Sequence, residues 1–245
     1  MSIAFRNETH EYREARNALL DDEVALRRQM ESVAAKRRAL PPGPAIAEDY
    51  AFETTDGSSV KLSELFRPGN DTLLVYAYMF PRYPTDERRG AASGEIASLP
   101  RIEQPCPSCT ALLDQIDAAA KHYVAAGGAL AVVANTTPDR LRAVAGDREW
   151  KNLRLLSSKG TSFKRDYHAA DEEGRQEAMV LVFKRDADGT IRLFWASELA
   201  FAKEDPGQDK RVFGTLDTFW NLFDFGPHGR PDFQPQLSYD ARSAR

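Results

Sequence analysis

Two uninterrupted apolar runs, "TLLVYAYMF" (72–80) and "ALAVVAN" (129–135), most constrain what this chain can fold into. A strand with no polar alternate face needs cover on both sides, and a mostly parallel sheet flanked by helices supplies it. Between the runs, residues 106–126 read as a helix. Leu112, Leu113, Ile116, Ala120, Tyr123 and Val124 make its apolar face, and Gly127-Gly128 stop it. Thr137-Pro138 open another helix, running to about Trp150, and "LRLLSS" (153–158) offers a third strand. "EAMVLVFKRDADGTIRLFWAS" (177–197) is a hairpin turning at Asp188-Gly189, and "DKRVFGTLDTFWNLF" (209–223) an amphipathic helix. Strands alternating with helices, then a hairpin, imply an α/β fold with an antiparallel edge.

Upstream, residues 10–40 read as one helix with Tyr12, Leu19, Leu26, Val33 and Leu40 at seven-residue intervals, helped by Ala15 and Met30. Acids crowd its start and "KRR" (36–38) its end, which suits the helix dipole. Asp22, Gln29 and Lys36 leave only a narrow stripe, so the helix packs either on its own domain or on a second copy as a homodimer. "PPGP" (41–44) ends it. "YAFETTDGSSVKL" (50–62) is a second hairpin, around Asp56-Gly57, and "LSELF" (62–66) a helical turn. The segment from Pro81 to Pro105 is too polar for core and too long for an ordinary connection; loops of this kind are lids, binding loops or disordered.

The chain has 245 residues, 42% hydrophobic and 29% charged, with a formal charge of −4. That balance makes no electrostatic case for nucleic acid or an acidic membrane as partner. No apolar run approaches a membrane span, and the first residues lack a signal-peptide core, so the expected location is the cytoplasm. There, a close cysteine pair is more often catalytic or metal-binding than a staple.

The only cysteines are Cys106 and Cys109, in "CPSC". Pro107 fits the first helical position and Ser108 the next, so both cysteines fall in one opening turn, close enough to bridge. Thiol-disulfide exchange needs an exposed thiolate that attacks and a second thiol that resolves the mixed disulfide. Cys106, facing open helix amides, is the expected attacker, and Cys109 the resolver. A helix terminus supplies ~0.3–1 kcal/mol when exposed and up to ~2 when partly buried. The dipole alone then moves Cys106 from ~8.5 to about 7.5.

Other readings stand beside this one. A structural disulfide would restrain little, because the loop is short. Cys106, Cys109 and His122 imitate three ligands of a zinc finger, but Ala126, Gly127 and Gly128 occupy the fourth ligand's place, and His10, His168 and His228 are scattered. His122 lies roughly 20 Å down the helix, so neither metal nor cofactor is expected. Inert core cysteines are a further possibility. "RR" at Arg88-Arg89 reads as a solvated loop, and "DFG" (224–226) lacks the glycine-rich phosphate loop of a kinase.

Taken together, "RRALP", "DYAFETTDGSSVKLSELF", "TLLVYAYMF", "CPSCT", "GTSFKRDY" and "FDFGPHGRPDFQPQLSY" resemble a bacterial family of thioredoxin-like proteins of unknown function, often labelled predicted dithiol-disulfide oxidoreductases. The resemblance implies a thioredoxin-like fold with a peroxiredoxin-like N-terminal hairpin extension, and a redox pair at Cys106 and Cys109. The chain then divides into a helical arm and Pro-rich bend (1–44), a thioredoxin-like domain (45–226) and an irregular tail (227–245).

Three departures stand out. The 81–105 insert is long, Pro105 replaces the aromatic residue usual before the first cysteine, and no cis-proline precedes "EAMVLVF". The Ala178-Met179 bond is expected to be trans, since a non-proline cis bond costs ~2.5–4 kcal/mol.

The leading expectation is exchange with a protein or small-molecule disulfide or thiol. The alternatives are a binding or assembly module with redox-sensing thiols, and a peroxidase. Against the last, residues 102–105 offer no threonine for the usual Thr-x-x-Cys turn.

Overall fold

The computed structural model describes residues 3, 5–203 and 226–228. A long helix α1 (His10–Arg38) precedes a hairpin of β1 (Ala51–Thr54) and β2 (Ser59–Lys61), then a 3-10 turn at Leu62–Leu65. The core follows as β3 (Thr72–Tyr78), α2 (Pro107–Ala125), β4 (Ala129–Ala134), α3 (Pro138–Asp147) and β5 (Leu155–Ser157). A four-residue helix α4 (Phe163–Asp166) leads into β6 (Met179–Arg185) and β7 (Ile191–Ala196). The seven strands form one sheet in the order β2-β1-β5-β4-β3-β6-β7.

β3 is the axis. It runs parallel to β4, with Leu73 opposite Ala129, and antiparallel to β6, with Leu74 opposite Val182. All seven of its residues are buried, because its alternate side chains serve two cores. Leu74, Tyr76 and Tyr78 meet Leu113 and Ile116 of α2 and Leu141 of α3. Leu73, Val75 and Ala77 meet Tyr50, Phe52, Phe163 and Phe183 on the other face. A parallel β3-α2-β4 unit with an antiparallel β6-β7 hairpin beside the same central strand is the thioredoxin-like architecture, and the β1-β2 hairpin extends it at the N-terminal side, across β5.

The expected helix at 209–223 lies outside the described residues. α4 was not anticipated, since four residues carry no helical period. Among the described residues the one cis peptide bond is Phe80-Pro81; Ala178-Met179 is trans.

α1 barely touches its own domain. Ala34 is its one buried residue, and Arg37 lies over the Trp195 ring at 4.6 Å. The rest of the helix, with the seven-residue stripe, stands in solvent.

The 81–105 segment, by contrast, is firmly tied down. Two 3-10 turns, Ile96–Ser98 and Arg101–Glu103, organise it. The Gln104 side chain accepts from the Ala91 amide at 2.8 Å and donates to the Leu99 carbonyl at 2.9 Å. From the end of α3, the Asp147 carboxylate accepts from the Glu95 and Ile96 amides at 2.9 and 2.8 Å. Gly94 makes this anchor possible: its φ is +84°, and a Cβ there would sit 2.3 Å from the Asp147 carboxylate.

Two charge-assisted bonds of this kind are worth about 1.5–3 kcal/mol each. Asp147→Ala is expected to lower the urea unfolding midpoint and to open the 81–105 segment to limited proteolysis. Gly94→Ala should show the same protease pattern, and unchanged digestion in both variants would mean the anchor does not hold the segment.

Candidate active site

The end of β3 places both sulfurs. Cys106 is the N-cap of α2, with extended backbone and Pro107 as the first helical residue. Its amide donates to the Met79 carbonyl at 2.9 Å, tying the helix start to the strand end. The N–H of the same Met79 points the other way and donates to the Cys109 sulfur. Behind Cys109 stands the buried Tyr76 hydroxyl, hydrogen-bonded to it. Tyr78 is held by Thr110, hydroxyl to hydroxyl at 2.7 Å, and Thr110 Oγ1 also donates to the Cys106 carbonyl at 2.9 Å.

Both cysteines are free thiols. The Cys106 thiol is held well below its ordinary pKa, first by a hydrogen bond from the Cys109 thiol. Burial opposes this, and the backbone amides of Cys109 and Ser108 and the Arg88 guanidinium add to it. Cys109 moves the opposite way. Its bond to Cys106, its burial and the Cys106 charge all push its pKa up, while Tyr76 and the Met79 amide pull it down. The pair therefore favours negative charge on Cys106 and the proton on Cys109. Helix-end amides matter here as the sequence suggested, but the neighbouring thiol contributes more than either amide.

Two expectations are overturned by the 81–105 segment. Cys106 is 4% exposed rather than open to solvent. Arg88 covers it, with Nη2 at 3.5 Å from the sulfur and Nη1 donating to Ser108 Oγ. Arg88 is thus part of the site and no mere solvated loop residue. Its guanidinium is fixed by Asp86 at 2.7 Å, and its carbonyl by Arg82 Nη1 at 2.8 Å. The Arg88 side chain itself remains 49% exposed.

A second cation lies beneath the site. Lys164 of α4 is buried, and its Nζ donates to the Tyr78 carbonyl at 2.8 Å and to Gln176 Oε1. Burial pushes its pKa down to about 7, with Cys109 and Glu177 drawing it back up.

The structure brings Cys106, Pro107, Ser108 and Cys109 together as expected, and leaves His122 in the far turn of α2. Sequence reasoning missed Asp86, Arg88, Tyr76 and Lys164. "GTSFKRDY" contained Lys164 but gave it no role, and nothing in a loop's composition tells where an arginine folds back.

A family model for bacterial proteins of unknown function, DUF899, matches residues 4–242. The chain belongs to that family. No curated protein matches it. Among solved structures it is similar to peroxidoxin BcpB from Mycobacterium tuberculosis, at 17% identity and TM-score 0.40, covering 62% of this chain and 82% of that one. It is similar to a hypothetical protein from Sinorhizobium meliloti 1021, at 19% identity and TM-score 0.40, covering 70% and 78%. Peroxiredoxin Q from Xanthomonas campestris aligns at 12% identity and TM-score 0.43, over 63% and 84%.

In this DUF899 protein Arg88 both stabilises the thiolate and obstructs it, and one substitution separates the effects. Arg88→Met is expected to raise the pH midpoint of Cys106 alkylation by iodoacetamide. The same variant should increase the limiting alkylation rate above that midpoint, where the thiolate is fully formed. A midpoint and a limiting rate both equal to the parent's would remove Arg88 from the site.

Proposed function

We propose that the protein carries out thiol-disulfide exchange, with Cys106 as nucleophile and Cys109 as resolving thiol. One observation carries this reading: the Cys106 sulfur, at the opening turn of α2, is held as a thiolate by the Cys109 thiol, two backbone amides and Arg88. Inert core cysteines would not be served by such a donor set. In the first step the Cys106 thiolate attacks one sulfur of a partner disulfide; a Cys106–partner S–S bond forms and the partner's second sulfur leaves as thiolate. In the next step Cys109 attacks the Cys106 sulfur, closing the intramolecular disulfide and releasing the partner as a thiol. Arg88 must swing off Cys106 before the first step, and its half-exposed side chain permits that.

In a reducing cytoplasm the dithiol would be the resting form. The arrangement needs no cofactor.

A peroxidase is the second reading, favoured by the same Arg88. A guanidinium and a hydroxyl beside a covered thiolate admit a small peroxide more readily than a protein loop. Cys106 would then take one peroxide oxygen as sulfenic acid, releasing an alcohol or water, and Cys109 would condense with it to a disulfide and water.

Mixed-disulfide trapping separates the two. Cys109→Ser is expected to accumulate a covalent adduct with a disulfide substrate, Cys106→Ser to give none. Peroxide consumption that is lost in Cys106→Ser, without disulfide trapping in Cys109→Ser, would establish the peroxidase reading instead.

A further inference from the structure

Lys164 is a buried cation whose hydrogen bonds lead to the dithiol, and the exchange steps above give it no task. Its Nζ bonds to Tyr78 O. That oxygen belongs to the peptide group joining Tyr78 to Met79, and the N–H of this same peptide donates to the Cys109 sulfur. One amide therefore lies between ammonium and sulfur, oxygen toward Lys164 and hydrogen toward Cys109. A cation on a carbonyl oxygen polarises the amide and strengthens its N–H as a donor. We propose that Lys164 acts as a positioning residue for the resolving step, supporting negative charge on Cys109 through the Tyr78-Met79 peptide.

This rests on the exchange reading above and assigns its second half a controlling group. In that half, Cys109 loses its proton, its sulfur bonds to Cys106, and the Cys106–partner bond breaks. The departing thiolate takes up a proton, so that a thiol leaves. Resolution draws on the buried Cys109, and burial still opposes its thiolate once Cys106 is tied in the mixed disulfide and has lost its charge.

The groups facing Lys164 are few. β3 presents the Tyr78 carbonyl, the segment before β6 presents Gln176 and Glu177, and α2 presents Cys109. Among the described residues no carboxylate forms an ion pair with Lys164. The sign follows. Below about 7 Lys164 is charged and assists Cys109; above it the charge fades, while Cys109 ionises more readily by itself.

The test uses an aromatic disulfide that releases one coloured thiolate on attack by Cys106 and a second on resolution by Cys109, followed by stopped flow. In Lys164→Met the second phase is expected to slow about tenfold well below neutrality, one pKa unit's worth, and to approach the parent's rate well above it. The first phase should be unchanged at every pH. Lys164→Gln, an uncharged donor, should reproduce the low-pH defect if charge is the cause. A second phase with the parent's pH profile, a parental profile restored in Lys164→Gln, or both phases slowed alike, overturns the proposal. A parent protein that releases only the first thiolate overturns the exchange reading itself, a distinguishable result.

An independent observation concerns α1. Its stripe is exposed throughout, with Tyr12 at 48%, Leu19 at 48%, Leu26 at 60% and Val33 at 42%. An isolated helix with an uncovered apolar stripe is marginal in water. The charges on α1 are divided: residues 10–23 carry five acids against two arginines, and residues 24–38 carry five bases against one acid. We infer that α1 pairs antiparallel with α1 of a second copy about Leu26. In that register Leu26 meets its own counterpart and Leu19 meets Val33 of the second copy. Each acidic half then lies on a basic half, with Glu14 beside Arg38 of the second copy, whereas a parallel pair would set like charges together.

Sedimentation of the full chain is expected to give a dimer, and Leu26→Glu a folded monomer by circular dichroism. In a Cys106→Ser/Cys109→Ser background, Leu19→Cys chains should crosslink with Val33→Cys chains and not with themselves. A monomeric parent, or self-crosslinking of Leu19→Cys, overturns the antiparallel pair.

Discussion

Both sulfurs are organised by one residue's backbone. Met79, just past the buried strand β3, accepts the Cys106 amide with its carbonyl and serves the Cys109 sulfur with its N–H. That arrangement needs β3 to end where α2 begins, although a long segment separates them in sequence. The two cores on either face of β3 supply the rigidity. Shifting β3 by one residue would exchange the two faces, turning Tyr76 and Tyr78 away from α2, and would remove the Met79 peptide from between the cysteines.

The charges are layered around that backbone. Arg88 approaches Cys106 from the surface, steadied by Asp86 and Ser108. Lys164 approaches the site from the opposite core, through the Tyr78 carbonyl. Between them the thiol of Cys109 supports the thiolate of Cys106. A buried ammonium and a buried thiolate are each costly alone. Lys164 reaches the pair only through one amide, whose oxygen faces the ammonium and whose N–H faces the Cys109 sulfur.

Much of this architecture was legible. β3 and β4 announced themselves as continuous apolar runs, α2 by its apolar face and Pro107, and the hairpins by Asp-Gly turns; all are local signals. The cysteine pair at the helix start was legible for the same reason. Arg88 was not, because its role depends on how the 81–105 segment returns across Cys106, held by Asp147 and Gln104 from outside any local pattern. Lys164 was hidden in the same sense, its partners being Tyr78 and Gln176. The exposure expected for Cys106 failed because a motif sets the direction of a side chain along its helix and says nothing of what a distant loop lays over it.

The donor set around Cys106 has an energetic corollary. Closing the disulfide erases the negative charge that Arg88, two amides and the Cys109 thiol are arranged to hold, so those donors favour only the open form. Selective support for the dithiol makes its disulfide a stronger electron acceptor, by about 30 mV in reduction potential for each tenfold of that support. In the proposed exchange, the surface arginine would therefore bias the pair toward taking electrons.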